Sequence, residues 1–307
     1  MKNILKLFSL LIILTVVFTT SGCKKDRIQQ QLNAYSPINT YLDAKKQAEQ
    51  EFIIDTAGSG PIIGNQGTKI WIGKECLMFP NGDSVSWPFT VTLVELYTPK
   101  DMIYYQQLTV ASGNTNIMKT DGEVRIRAFK NGTELLLKPD PCMMQIEMPN
   151  ASPQAGMRVF YGFGSGSGSD WTDNPSSLGV TTTISPAFTT TAYGYSASIA
   201  ILGWINCGSL AGSTPAATLT FASTVDDLTN VGIFIYFPAT KTVMQAYNVA
   251  SGAIPHGSSV KIIAMGINAS GDLFSYEETK TVNSNQQIDI TLSATTDAAL
   301  TSALDAL

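Results

Sequence analysis

From Phe52 onward, apolar side chains come in short period-two runs broken by turn residues, and this rhythm limits the fold more than any other feature of the chain. A strand turns alternate side chains to opposite faces, so each run predicts a half-buried strand and each break a turn. Runs at 52–54, 68–72 and 89–97 are separated by Gly58-Ser59-Gly60-Pro61, Gly64-Asn65-Gln66-Gly67 and Asn81-Gly82-Asp83. In the third run Phe89, Val91, Leu93 and Glu95 share one face. Runs at 124–129 and 134–138 flank Asn131-Gly132, the strongest two-residue hairpin signal in the chain. After a less regular stretch the rhythm returns at 231–237, a continuous apolar run predicted to be buried on both faces, and continues at 242–247, 259–267, 273–277 and 287–292.

The predicted class is therefore all-β: two β-sandwich domains, over 52–150 and 222–307, joined by an irregular β-rich connection over 151–221. Residues 40–51 have helix-forming composition and predict a short tether helix. At the far end Leu300, Leu304 and Leu307 stand at i, i+4 and i+7, which predicts a short terminal helix over 296–307.

Residues 1–22 carry Lys2 and Lys6, an apolar run and then Thr19-Thr20-Ser21-Gly22, the anatomy of a secretory signal. The apolar part, 4–18, is shorter than the roughly 20 residues a membrane span needs. Cys23 directly after Ser21-Gly22 resembles the lipobox of bacterial lipoproteins, with Thr20 where the lipobox usually has Leu. The resemblance implies that the signal is removed and that Cys23 is acylated, so residues 23–51 become a lipidated tether. Without the signal the formal charge moves from −5 to −7 as Lys2 and Lys6 leave. A mildly acidic chain with no basic cluster argues against a nucleic-acid partner. Lys24 occupies the place where an Asp would signal inner-membrane retention, so outer-membrane residence is expected, with the leaflet open and the cell surface one option.

Three further cysteines, Cys76, Cys142 and Cys207, show no zinc-binding or redox spacing. One disulfide with a free thiol and three buried free thiols are both compatible with that count, and the second is the expectation.

Gly67-Thr68-Lys69-Ile70-Trp71-Ile72, the stretch from Val91 to Met102 and Lys119-Thr120-Asp121-Gly122-Glu123-Val124 resemble the ZU5-like domains of bacterial surface lipoproteins. The resemblance covers about 52–149 and implies a sandwich used for interaction or architecture. Gly203-Trp204-Ile205-Asn206-Cys207 is similar to a stretch of the same lipoproteins, with Gly208 where they carry Asp. The last block resembles the Ig-like or regulatory-type sandwiches that accompany such modules. Self-cleavage, known in some ZU5 proteins, is not implied, because His256 is followed by Gly257 and lies outside the block.

Candidate sites are few. His256, the lone histidine, sits in a turn with no nucleophile elbow to serve it. The glycine–serine run over 162–170 leads into no helix and so reads as a surface loop, not a phosphate cradle. Asp170, Asp173 and Asn174 do not match a calcium loop. Glu95 in an apolar strand needs a partner, and Arg125 or Arg127 are the cross-strand candidates. Trp71, Trp87, Trp171 and Tyr104-Tyr105 offer aromatic faces for a glycan, while Trp71 and Trp204 are read as core. The expectation is a lipid-anchored envelope protein with a non-enzymatic interaction or structural role, and a carbohydrate-binding lipoprotein is the alternative. No cofactor or metal is expected. The expected partners are the membrane, through Cys23, and a protein or glycan.

Overall fold

The computed structural model describes residues 31–56, 60–111, 116–139, 142–164, 170–211 and 215–307. The expected signal, 1–22, and the expected acylation site, Cys23, lie outside these residues. The all-β class holds, with 48% of the chain in strands and 13% in helices, well under the third that a globular average would give to helix.

The largest sheet has eight antiparallel strands. In spatial order it runs Gln50–Ile54, Phe89–Leu96, Asn116–Lys130, Gly203–Leu210, Arg158–Phe163 and Asp170–Thr172. Val110–Ala111 and Thr133–Glu134 add onto the long strand Asn116–Lys130. The turn between that strand and Thr133–Glu134 is Asn131-Gly132, both at positive φ (50° and 77°), as a tight two-residue hairpin requires. A five-stranded sheet, Thr189–Thr190, Gly194–Ile199, Met144–Pro149, Lys69–Trp71 and Ile62–Ile63, covers one face of the first. Val91, Leu93, Val124, Ile126, Ile70, Ile146 and Tyr195 fill the core between them. Alternation decides this. Val91 and Leu93 point into that core, while Val94 and Leu96 of the same strand point out of the sandwich and enter a second core.

The second core is built on another five-stranded sheet, Thr242–Gln245, Gly232–Phe237, Ser258–Ile267, Leu273–Val282 and Ser293–Thr295. Every residue of Gly232–Phe237 is buried, as the unbroken apolar run predicts. A parallel pair, Leu219–Ala222 with Gln286–Asp289, contributes Leu219, Phe221 and Ile288. Three short helices add to this core: α1 (Asn39–Lys45), α2 (Pro99–Tyr105) and α3 (Asp297–Asp305). Thr296 caps α3, and Leu300 and Leu304 are buried, as their spacing predicts.

Three expectations are corrected. Asn33–Leu307 forms one compact unit with two principal cores, rather than two separated sandwiches. Its halves are stitched by Thr109 N to Val243 O (3.0 Å), Thr120 N to Thr240 O (3.0 Å) and Lys241 Nζ to Asp121 (3.0 Å). The stretch 151–221 is no mere connection, because it supplies inner strands of the first sandwich. The segment from Asn33 is packed, not a free tether: Tyr35, Ile38 and Leu42 are buried in the second core, and the helix ends at Lys45. Asp226 holds the start of that segment, accepting from Asn33 Nδ2 (3.0 Å) and the Tyr35 hydroxyl (2.8 Å).

The expectation of three buried free thiols is corrected as well: Cys76 and Cys142 form a disulfide, and only Cys207 is a free, buried thiol among them. Each run of sequence around Cys76 and Cys142 reads as an ordinary strand margin, and only the antiparallel pairing nearby brings the two together.

Candidate functional site

A cleft of about 480 Å³ opens where the end of α2, the chain just after α1 and the outer face of the eight-stranded sheet meet. Sequence-distant residues converge here for a simple reason. Arg125 and Trp204 are cross-strand partners, and the alternation that sends Val124 and Ile205 into the first core sends both of them outward. α2 then lays Tyr105 against them. Thr98 caps this helix, accepting from Asp101 N (3.2 Å), and Pro99 follows at its first position. The Tyr105 and Trp204 rings meet edge to face at 5.9 Å, and the Arg125 guanidinium lies 5.0 Å from the Trp204 ring. Tyr105 donates its hydroxyl hydrogen to Gln47 O (2.5 Å), and Arg125 is ion-paired with Glu49. Phe163, 41% exposed, stands at the rim. Gly162 is required beneath it, because a Cβ there would fall 2.8 Å from the Trp204 Cβ.

Beneath this surface the sheet carries a buried polar pair. Glu123 and Asn206 face each other across the same two strands, two pairs further along and so on the same face, and both are fully buried. Asn206 Nδ2 donates to Glu123 Oε1 (2.9 Å), while Glu123 Oε2 and Asn206 Oδ1 find no partner among the described residues. Both are acceptors, so each wants a hydrogen that the described residues do not supply. Burial pushes the Glu123 carboxyl well above the ordinary glutamate value of 4.5, against the lowering effect of the Asn206 hydrogen bond. Burial thus favours the neutral carboxylic acid, which needs no buried counter-charge.

The sign of the pH effect follows. The unfolded chain ionises Glu123 near its ordinary value and the folded chain does not, so this contribution is full below about pH 4.5 and declines as pH rises toward the folded-state value. Glu123→Gln, which keeps the shape and cannot ionise, is expected to gain stability over the parent as pH rises above about 4.5. Urea unfolding across pH checks it, and a difference that does not change with pH would show that Glu123 is charged in the fold.

The residues predicted from sequence are placed as follows. His256 is exposed in a turn, its amide donating to Pro215 O (2.9 Å). Asp173 pairs with Arg158 (2.6 Å) and Asn174 caps Ser176 N (3.1 Å). Among the described residues no group of three His, Cys, Asp or Glu side chains could hold a metal ion. Glu95 does not pair with an arginine: Arg125 holds Glu49 and Arg127 holds Glu134. Of the aromatic candidates, Trp171 is buried with Nε1 on Leu108 O (2.6 Å), Tyr104 is buried, and Trp87 stacks on Phe89. Only Tyr105 reaches the cleft. Trp204, read as core from its apolar surroundings, is half-exposed there beside it. Gln107 was missed, and nothing local marks it. A second hollow of about 320 Å³ beside Gln145 and Ser196 has no charged or aromatic lining residue among those described, so the first cleft is the candidate.

No protein-family model matches the chain, and no curated protein or solved structure is detectably similar to it. Among the described residues no helix is long and apolar enough to cross a membrane.

Proposed function

We propose that this is a lipid-anchored protein of the bacterial cell envelope, held in the outer membrane through Cys23, with a non-enzymatic binding role, and that the cleft takes a carbohydrate. The observation that carries the carbohydrate reading is the wall of Tyr105, Trp204 and Phe163 beside charged and amide side chains held in place by neighbours. An aromatic face packs on the C–H face of a sugar ring, and fixed polar groups orient the hydroxyls. The Cys76–Cys142 disulfide supports an exported, oxidising setting. The ZU5-like kinship of 52–149 and the Ig-like kinship of the last block belong to the same proposal.

The test uses the full chain in detergent on a printed glycan array. Capture of a glycan class, with Trp204→Ala weakening it by roughly thirtyfold, the effect of losing an anchor worth about 2 kcal/mol, is the expected result. Absence of any captured glycan would overturn the carbohydrate part. For the anchor, Cys23→Ala is expected to leave the membrane fraction, and retention there would overturn acylation at Cys23.

A further inference from the structure

We propose a second saccharide site, on the outer face of the five-stranded sheet that carries Lys69–Trp71, where Trp71 and the shallow hollow beside Gln145 take an uncharged glycan chain. It uses none of the residues of the cleft, and the two stand on opposite outer faces of the first sandwich.

Alternation builds this face. Ile70, Ile146 and Ala197 are neighbours in register and point into the first core, so the residues beside them point out. Trp71, Gln145 and Ser198 form one outward row across three strands, and Lys69, Glu147, Ser196 and Thr189 form the next. Trp71, read as core in the sequence, is half-buried but packs on neither principal core, and it has no ring contact, cation or hydrogen bond among the described residues. An indole that stays off the core leaves apolar area in water, which a ligand ring can cover. Its cross-strand neighbour Gln145 lines the hollow of about 320 Å³ with Ser185, Thr189, Ser196 and Ser198. The Cβ atoms of such neighbours lie about 5 Å apart, so the ring and the hollow form one surface.

Charge selects the occupant. The hollow has no charged lining residue among those described. Lys69 and Glu147, in the next row, pair with each other at 3.2 Å, and Lys69 also lies 3.4 Å from the Tyr193 ring, so the nearby charges cancel. An ionised ligand would lose hydration here and gain no counter-charge. A wholly apolar ligand would strip water from the hydroxyls and return no hydrogen bond. An extended peptide seeks a strand edge for its backbone amides, whereas the Trp71–Gln145–Ser198 row crosses three inner strands whose ladders are already paired. A sugar hydroxyl both donates and accepts, as Ser and Thr hydroxyls do, and the C–H face of the sugar ring covers the indole.

The experiment places neutral oligosaccharides (cello-, xylo- and manno-oligosaccharides) and an acidic one (oligogalacturonate) on one array and probes them with the full chain in detergent. The Trp204→Ala chain, its cleft weakened, is expected still to capture at least one neutral oligosaccharide and to favour it over the acidic one. Adding Trp71→Ala, or Ser198→Glu to bring a charge into the hollow, is expected to weaken that capture by about tenfold or more, and adding Trp71→Phe to keep most of it. Because the Trp71 ring packs on neither core, Trp71→Ala is expected to keep the urea midpoint of its parent, which separates lost binding from lost fold. Residual capture untouched by both Trp71→Ala and Ser198→Glu would overturn this site. Wild-type capture that vanishes in Trp204→Ala would also overturn it and leave the cleft reading standing. Residual capture that favours oligogalacturonate would overturn the uncharged occupant. Capture lost in Trp71→Ala and kept in Trp204→Ala would uphold this site and overturn the cleft. No capture by the wild type would overturn both.

Discussion

Glu95→Ala is expected to destabilise the fold by about 2–4 kcal/mol, because the buried Thr68 amide and the partly buried donors of Gln66 and Gln50 lose their acceptor, at about 1–3 kcal/mol for the buried one and less for the others. Glu95 is fully buried, on the inner face of its strand beside Leu93. Its carboxylate accepts from Thr68 N, Gln66 N and Gln50 Nε2, each at 2.9 Å. Its backbone oxygen accepts from Gln66 Nε2 (2.8 Å) and from Gln47 Nε2. One side chain thus ties the loop before Lys69–Trp71, and with it the edge of the five-stranded sheet, to the eight-stranded sheet. Alanine removes the acceptor and leaves two backbone amides with no replacement. Urea unfolding is expected to show a lower midpoint with an unchanged slope. Arg125→Ala, by contrast, breaks a partly exposed ion pair with Glu49 and a contact with the Trp204 ring, and is expected to cost about 1–2 kcal/mol. A loss below about 1 kcal/mol for Glu95→Ala would mean that the loop is held by something else.

Reducing the Cys76–Cys142 disulfide is expected to cost about 4 kcal/mol. The bond closes a loop of 66 residues, and chain-entropy loss in the unfolded state scales with the logarithm of that length. Cys142→Ser and reductant-treated wild type are expected to unfold at the same lower urea midpoint. Cys207 is expected to take no part. It is buried in the first core, and burial pushes its thiol well above the ordinary value, so little reactive thiolate forms. Identical midpoints with and without reductant would show that the bond does not constrain the unfolded chain.

Much of the fold was legible residue by residue. The Asn131-Gly132 turn, the buried run ending at Phe237 and the terminal helix carried on Leu300 and Leu304 all follow from local rules. So did the shared face of Phe89, Val91 and Leu93, and the oddity of Glu95. α2 was legible but unread, since Thr98-Pro99 followed by Asp101 is a helix start. What local rules left open was pairing. Gly203–Leu210 lies between two strands from distant parts of the chain, and no feature of its own names them. The arginine partners expected for Glu95 fail on register: Glu95 stands opposite Val124, so Arg125 and Arg127 point to the other face and meet other acids, while a backbone loop reaches Glu95.

The amino-acid order by itself determined many of the strands, their buried faces and the turns between them, because period-two burial and turn chemistry act over a few residues. The tertiary structure alone decided that Cys76 meets Cys142, that 151–221 completes the first sandwich and that Gln107, Arg125 and Trp204 share a cleft. The physical reason is that burial of apolar surface is non-directional. It requires each strand to cover its apolar face and is silent on which strand covers it, so partners far apart in the chain are chosen only when the whole set packs at once.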